Sequence, residues 1–459
     1  VNKPFEGAIA VLQGRPAQRE VDRRFVYIDP HPHRVDNGPP EDRRPVGFFS
    51  AIFGSLSAIP REQPIRDNLE VLEAQSRDAL RLQRLLGGLR PQVDATVEKL
   101  FGRTLFLDRP TAKRLRGWRQ RAQQAAAEQA GYAFEAYSQA KMAGIVSRLA
   151  TLLCEAAAPR LGPADHFAVE EALRQELSHR ELDTLSQGGG VLKPAAIDFL
   201  RAHDIAFRIR RMRLLARRVA RDWEADHTLP ADAIEHARDA IYAILALYFE
   251  REGVSGLGAE FASAAQDAMA DPGTALDLLA AHRLLPEVDD QAEAMIAAML
   301  EAMPAPLRRR MLLTYLGFPF YDTATLALSH NESLTEYDPV KVDRISPEDA
   351  RSIREGGTAA TLRGTELYNF GAFFSRAYRE NDYLWGRLHG AERMVDLVCS
   401  TLDSAPADAE CRELKRDLFM AILDEEADAD ARQLSAELAQ DARGAREIGG
   451  LAAALADRE

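Results

Sequence analysis

Ile234-Glu235-His236-Ala237-Arg238-Asp239-Ala240-Ile241-Tyr242-Ala243-Ile244-Leu245-Ala246-Leu247-Tyr248 places Ile234, Ala237, Ile241, Ile244 and Tyr248 at spacings of three and four. That period is one face of an α-helix, and Pro230 stands just ahead of it, where a missing N–H costs least. Outward from this stretch the same pattern recurs. Ile65, Leu69, Leu72, Ala79 and Leu86 form a second stripe at helical spacing. Glycine and proline punctuate the intervals at Gly87-Gly88, Arg90-Pro91, Gly162-Pro163, Gly188-Gly189-Gly190, Asp271-Pro272-Gly273 and Met303-Pro304, as expected between helices. The spacing of these breaks is too uneven for a solenoid. The fold class expected from Val46 onward is therefore mainly α.

Two stretches depart from helical periodicity. Phe25-Val26-Tyr27-Ile28 is β-branched and aromatic, and Val340-Lys341-Val342-Asp343-Arg344-Ile345 alternates apolar and polar side chains between Pro339 and Pro347; both read as short strands. The second is expected to return and pair with the first domain. Between them, His31-Pro32-His33, Gly38-Pro39-Pro40 and Arg43-Arg44-Pro45 mark a boundary. We expect three regions: 1–46 of α/β character, 47–331 helical, and 332–459 helical with the strand near 340–345.

At 459 residues the chain has ample length for several buried cores. With 46% hydrophobic and 28% charged residues it has the composition of a globular protein. The net charge of −13 argues against nucleic acid as a partner, because phosphate contacts need clustered surplus cations. The three cysteines, Cys154, Cys399 and Cys411, do not suggest a disulfide framework. No apolar run reaches membrane-spanning length and no leader is visible, so a cytoplasmic location is expected, with peripheral membrane contact as an option.

The opening Val1-Asn2-Lys3-Pro4-Phe5 closely resembles the segment that follows the catalytic Asp-Gly turn of bacterial patatin-like proteins. Leu56-Ser57-Ala58-Ile59-Pro60-Arg61-Glu62-Gln63-Pro64-Ile65-Arg66 resembles the long patatin-related proteins too. So do Leu316-Gly317-Phe318-Pro319-Phe320-Tyr321-Asp322, Asp343-Arg344-Ile345-Ser346-Pro347 and the stretch from Phe370 to Leu388. The region between Gly102 and Pro304 carries no motif of that family. The resemblance implies that residues 1–46 are the end of a patatin-like α/β domain, beginning just past the active site, and that a large helical array follows. It further implies a lipid or lipid-ester substrate for the whole protein, hydrolysed by a Ser-Asp dyad through an acyl-enzyme, without a cofactor. This chain would be inactive alone and act as an accessory or substrate-covering region. The alternative is a non-enzymatic helical protein that binds a partner or docks on a membrane.

No catalytic residue is assigned. Gly253-Val254-Ser255-Gly256-Leu257-Gly258 has Leu257 where a nucleophile elbow needs glycine, and a helix where it needs a strand; a helix-terminating loop is the expected reading. Gly188-Gly189-Gly190 imitates an oxyanion loop but lies in the wrong order along the chain. The ten histidines show no metal-ligand spacing; His31 and His33 lack a second ligand pair, and His166 with Glu170 reads as a helix-surface pair.

Three stretches remain as candidate binding elements. Phe48, Phe49, Ile52, Phe53 and Leu56 give an apolar helix, either a core element or one wall of an acyl-chain pocket. Arg208, Arg210, Arg211, Arg213, Arg217, Arg218 and Arg221 decorate a helix whose apolar stripe is Ile205, Ile209, Met212, Ala216, Val219 and Trp223. Such a helix either pairs internally with carboxylates or lies on anionic lipid. Arg379, Asp382, Arg387 and Arg393 are expected to form either an ion-pair network or a site for an anionic headgroup.

Overall fold

The computed structural model describes residues 7–9, 21, 23–29, 59–102, 110–182, 184–187, 191–224, 226–326, 339–366, 371–402 and 408–434. Among these the protein is mainly helical, 77% helix against 4% strand, and the strands form a single two-stranded sheet. Two units emerge: Val1–Val21 with Ala74–Pro339, and Asp22–Glu73 with Val340–Glu459. The grouping follows the strand pairing rather than the sequence breaks near 46 and 331.

The larger unit holds the last turns of α1 (Ile59–Phe101), then α2 (Ala112–Ala130), α3 (Ala133–Ala156), α4 (His166–His179), α5 (Pro194–His203) and α6 (Ile205–Arg217). These are followed by α7 (Ala231–Phe249), α8 (Gly258–Gln266), α9 (Pro272–Arg283), α10 (Leu285–Ala302) and α11 (Ala305–Thr325). Pro230 caps α7, and all five members of its stripe are buried, Ala237, Ile241, Ile244 and Tyr248 completely. Leu72, Ala79 and Leu86 of α1 are buried too, and Val93 and Val97 continue their stripe. Two apolar cores result. One is built on α1, α2, α6, α7, α10 and α11, and the other on α3, α4, α5, α8 and α9.

Helix α6 is the axis of the first core. Asp204 caps it, its carboxylate accepting from the N–H of Phe207 at 3.1 Å; this satisfies one of the donors left over at a helix start. Every residue from Ile205 to Ala216 except Arg213 is buried, so the helix is enclosed on all sides. It continues into a π-helical turn, Arg218–Trp223, that ends on the buried Trp223. Of the two sequence readings of this helix, internal pairing is the one the structure adopts: Arg208, Arg210, Arg211 and Arg218 are interior, and Arg208, Arg210 and Arg218 are bonded to carboxylates.

In the smaller unit β1 (Arg23–Ile28) pairs with β2 (Val340–Ile345) in parallel, with Arg23 opposite Val340 and Ile28 opposite Ile345. Arg24 reaches across to Asp343 at 3.1 Å, and the N–H of Asp29 extends the ladder to the carbonyl of Ile345 at 2.9 Å. The short helices α12 (Gly357–Thr361) and α13 (Gly371–Phe374) lead to a hairpin of α14 (Arg376–Cys399) and α15 (Asp408–Leu434). Its core is Leu362, Leu384, Trp385, Leu388, Phe419 and Leu423. The Glu392 carboxylate ties α14 to the loop after β2, accepting from the backbone N–H groups of Arg351 and Ser352 at 3.0 and 3.1 Å and from the Ser352 hydroxyl at 2.7 Å.

Candidate functional site

Within the larger unit, α2, α3, α5, α6, α10 and α11 surround a cavity of about 390 Å³ where the two cores meet. The apolar part of its wall includes Phe134, Leu185, Leu192 and Leu200. Its polar part is densely ionic, because the arginines of α6 draw on carboxylates of the helices packed around it.

Arg208 forms a two-pronged pair with Asp289, Nε to Oδ1 at 2.8 Å and Nη2 to Oδ2 at 2.7 Å. Its remaining N–H groups donate to the carbonyls of Arg201 and Asp204, both at 2.8 Å, which closes the C-terminal end of α5. Asp289 also accepts from the Tyr248 hydroxyl at 3.0 Å. Burial alone would raise the Asp289 carboxyl; the bonded Arg208 and the nearby charges of Arg211 and Arg119 outweigh it and hold the group below its usual range.

A second network centres on Asp322. Arg210 donates Nε and Nη2 to its Oδ1 at 3.0 and 2.8 Å, and the Tyr137 hydroxyl donates to its Oδ2 at 2.8 Å. Lys141 donates to the Tyr137 oxygen at 3.1 Å, pairs with Asp204 at 2.6 Å, and lies 3.6 Å from Asp322. Its ammonium also sits 4.3 Å from the centroid of the Phe207 ring, a favourable cation–π distance. Burial, then the Asp322 charge, drives the Tyr137 hydroxyl well above its ordinary value. Asp204 is displaced the other way: burial opposes ionisation, yet Lys141 and Arg210 bring the carboxyl down to about 2. At neutral pH Asp204 is thus ionised and the Tyr137 phenol neutral. On the α2 side, Arg119 and Arg116 both bond Glu293, and Arg116 also pairs with Asp290.

Of the residues singled out from sequence, only Arg208 and Arg211 line this cavity. Tyr137 and Asp204 carry no functional signal in the sequence. Lys141 is the one with a readable signal, a lysine on the inward face of the apolar run from Tyr137 to Leu153. Phe48, Phe49, Ile52, Phe53 and Leu56 lie outside the described residues, as do His31, His33 and Gly188-Gly189-Gly190. Ser255 sits in the turn between α7 and α8, and Gly256 and Gly258 have φ of 85° and 78°, a conformation that glycine adopts without strain.

Arg379, Asp382, Arg387 and Arg393, read from sequence as an ion-pair network or an anionic-headgroup site, make structural contacts within their unit. Arg379, Arg387 and Arg393 lie along one helix, and Arg379 and Arg393 are about 21 Å apart at the helical rise. Arg379 donates to the carbonyl of Ala372 at 2.8 Å, Arg387 pairs with Glu425 and Glu426 of α15, and Arg393 pairs with Asp396 at 2.9 Å. Asp382 accepts from the N–H groups of Arg363 and Gly364 at 2.7 and 2.8 Å. They fix the geometry of the hairpin and its approach, which is the ion-pair option corrected to four separate contacts.

Among the described residues no group of three or more His, Cys, Asp or Glu side chains is placed to hold a metal ion. No described helix is long and apolar enough to cross a membrane.

A family model with the description "Protein of unknown function (DUF3376)" matches residues 101–457. The chain is also similar to the "Uncharacterized membrane protein Rv3479" of Mycobacterium tuberculosis (strain ATCC 25618 / H37Rv), at 49% identity over 37 residues. That match spans 8% of this chain and 3% of the mycobacterial protein. No solved structure matches.

Proposed function

We propose that this chain, which belongs to the DUF3376 family, is the helical accessory portion of a patatin-like lipid acyl hydrolase, with β1 and β2 contributing to the hydrolase sheet. The observation that carries the reading is the parallel pairing of Arg23–Ile28 with Val340–Ile345. Parallel strands belong in the main to α/β sheets covered on both faces, and a two-stranded sheet is marginal by itself. The resemblance noted in the sequence points the same way, since it assigns Phe25–Ile28 to the end of a patatin-like domain.

On this reading the nucleophilic serine and its aspartate lie in sequence preceding Val1. The serine attacks the ester carbonyl as the aspartate takes its proton, the ester C–O bond breaks and the alcohol leaves with that proton, and water then hydrolyses the acyl-serine to the free fatty acid and the serine hydroxyl. The present chain covers the substrate, with the run from Phe48 to Leu56 as an apolar wall for the acyl chain.

The test is to express the chain together with the coding sequence that precedes it in its gene and to measure fatty-acid release from phospholipid vesicles. Hydrolysis is expected from the extended protein, lost on replacing the serine of an upstream Gly-x-Ser-x-Gly, and absent from the 459-residue chain alone. An upstream frame without that motif, or hydrolysis by the 459-residue chain itself, overturns the reading.

A further inference from the structure

We propose that the cavity between α2, α3, α6 and α10 binds an organic oxyanion, a carboxylate or phosphate carried on an apolar body, with Arg211 as the group that meets its charge. The inference is independent of the hydrolase reading.

The first ground is the charge of the wall. Six cationic side chains line the cavity against three carboxylates, in a protein whose net charge is −13. The second is how those charges are matched. Arg208 is satisfied by Asp289, Lys141 by Asp204, and Arg119 by Glu293. Arg211 is 3% exposed, and among the described residues no carboxylate stands in ion-pair range of it; its Nε is buried without a hydrogen-bond partner. Asp289 is near enough to feel its charge but is already bonded by Arg208 and Tyr248.

An unpaired interior cation is costly. What holds Arg211 is aromatic: its guanidinium carbon is 4.7 Å from the Tyr315 ring centroid and 5.8 Å from that of Phe207. Stacking of this kind stabilises the charge in part and leaves the donor fork available. A guanidinium fork matches the oxygens of a carboxylate or phosphate. A volume of about 390 Å³ falls within the range of small-molecule pockets. The leucine and phenylalanine part of the wall then takes an apolar body rather than a bare ion.

The test is calorimetric titration of the full chain with octyl phosphate, octanoate, octanol and inorganic phosphate. One octyl anion should bind per chain, the tighter of the two identifying the headgroup, with octanol and inorganic phosphate each weaker by roughly tenfold or more. Arg211→Met, with its fold checked by circular dichroism, should weaken the octyl anion by about ten- to a hundredfold and leave octanol unchanged. The proposal is overturned if neither octyl anion binds at millimolar concentration, if octanol or inorganic phosphate matches them, or if folded Arg211→Met keeps full affinity. Should that variant not fold, the comparison of octanoate with octanol decides the matter alone.

Discussion

Arg210 and Asp322, 112 residues apart in sequence and both in the interior, are joined by two hydrogen bonds from the guanidinium to one carboxylate oxygen. The same carboxylate accepts from Tyr137 through its other oxygen. Removing Asp322 therefore strands a buried arginine and a buried phenol together. Asp322→Ala should lower stability by about 3–5 kcal/mol, the range for breaking a buried ion pair from one side. Arg210→Met should cost less, because Lys141 and Tyr137 still reach the aspartate. Urea unfolding midpoints compare the two variants; equal losses would contradict the arrangement.

Gly317 of α11 faces Val93 of α1 so closely that an added Cβ would stand 2.7 Å from the valine Cγ1. Alanine is the better helix former by about 1 kcal/mol, yet overpacking costs about 1–3 kcal/mol. Gly317→Ala should destabilise by up to roughly 2 kcal/mol in the native background, the balance of those effects. In a Val93→Ala background the same change should stabilise. A double-mutant cycle reads that reversal of sign directly.

His203 is packed against Phe199 with ring centroids 4.8 Å apart. Burial, reinforced by the charge of Arg283, lowers its pKa to about 3. His389 lies against Trp385, and burial lowers it to about 4. A base whose folded pKa is depressed contributes stability above its unfolded value, lost as pH falls toward the folded value. The melting temperature should thus be flat above about pH 7 and fall from about pH 6.5 downward, with His203 alone contributing about 2 kcal/mol between pH 8 and pH 5. His203→Phe should flatten the curve in that window. Asp204, at about 2, adds its own loss only below about pH 4.

Cys399 of α14 and Cys411 of α15 are free thiols whose sulfurs lie 2.9 Å apart. Diamide should oxidise the pair to a disulfide, the two thiol hydrogens passing to the reagent. Peptide mapping without reductant should find the cross-link, and Cys411→Ser should abolish it. Hydrogen bonding to Cys399, with some burial, raises the Cys411 thiol to about 11. Because the thiolate is the nucleophile, the reaction should be slow at neutral pH and faster as pH rises.

Local pattern made the helices and both strands legible. The stripe of α7 and the alternation from Val340 to Ile345 depend on side chains a few residues apart, and such periods survive folding unchanged. Internal pairing of the α6 arginines was one of two readings open from sequence, but which carboxylates they meet was not legible. Those partners, Asp289 and Asp322, lie 81 and 112 residues away. The cavity was hidden for the same reason. Lys141, Tyr137 and Asp204 come from two helices and a cap, and only packing brings them together. On α14 the ion-pair character of the charges is legible, while their separate partners are not, because the rise of one helix keeps them apart.

The pairing of Arg23 with Val340 also sets a schedule. On a ribosome that adds about 5–20 residues each second, β1 emerges some 15–60 seconds before its mate is made. Throughout that interval the intervening helices can settle around α6 before this edge of β1 meets its mate. The β1–β2 ladder is therefore a late closure, and a ribosome stalled between the two strands would leave it unmade.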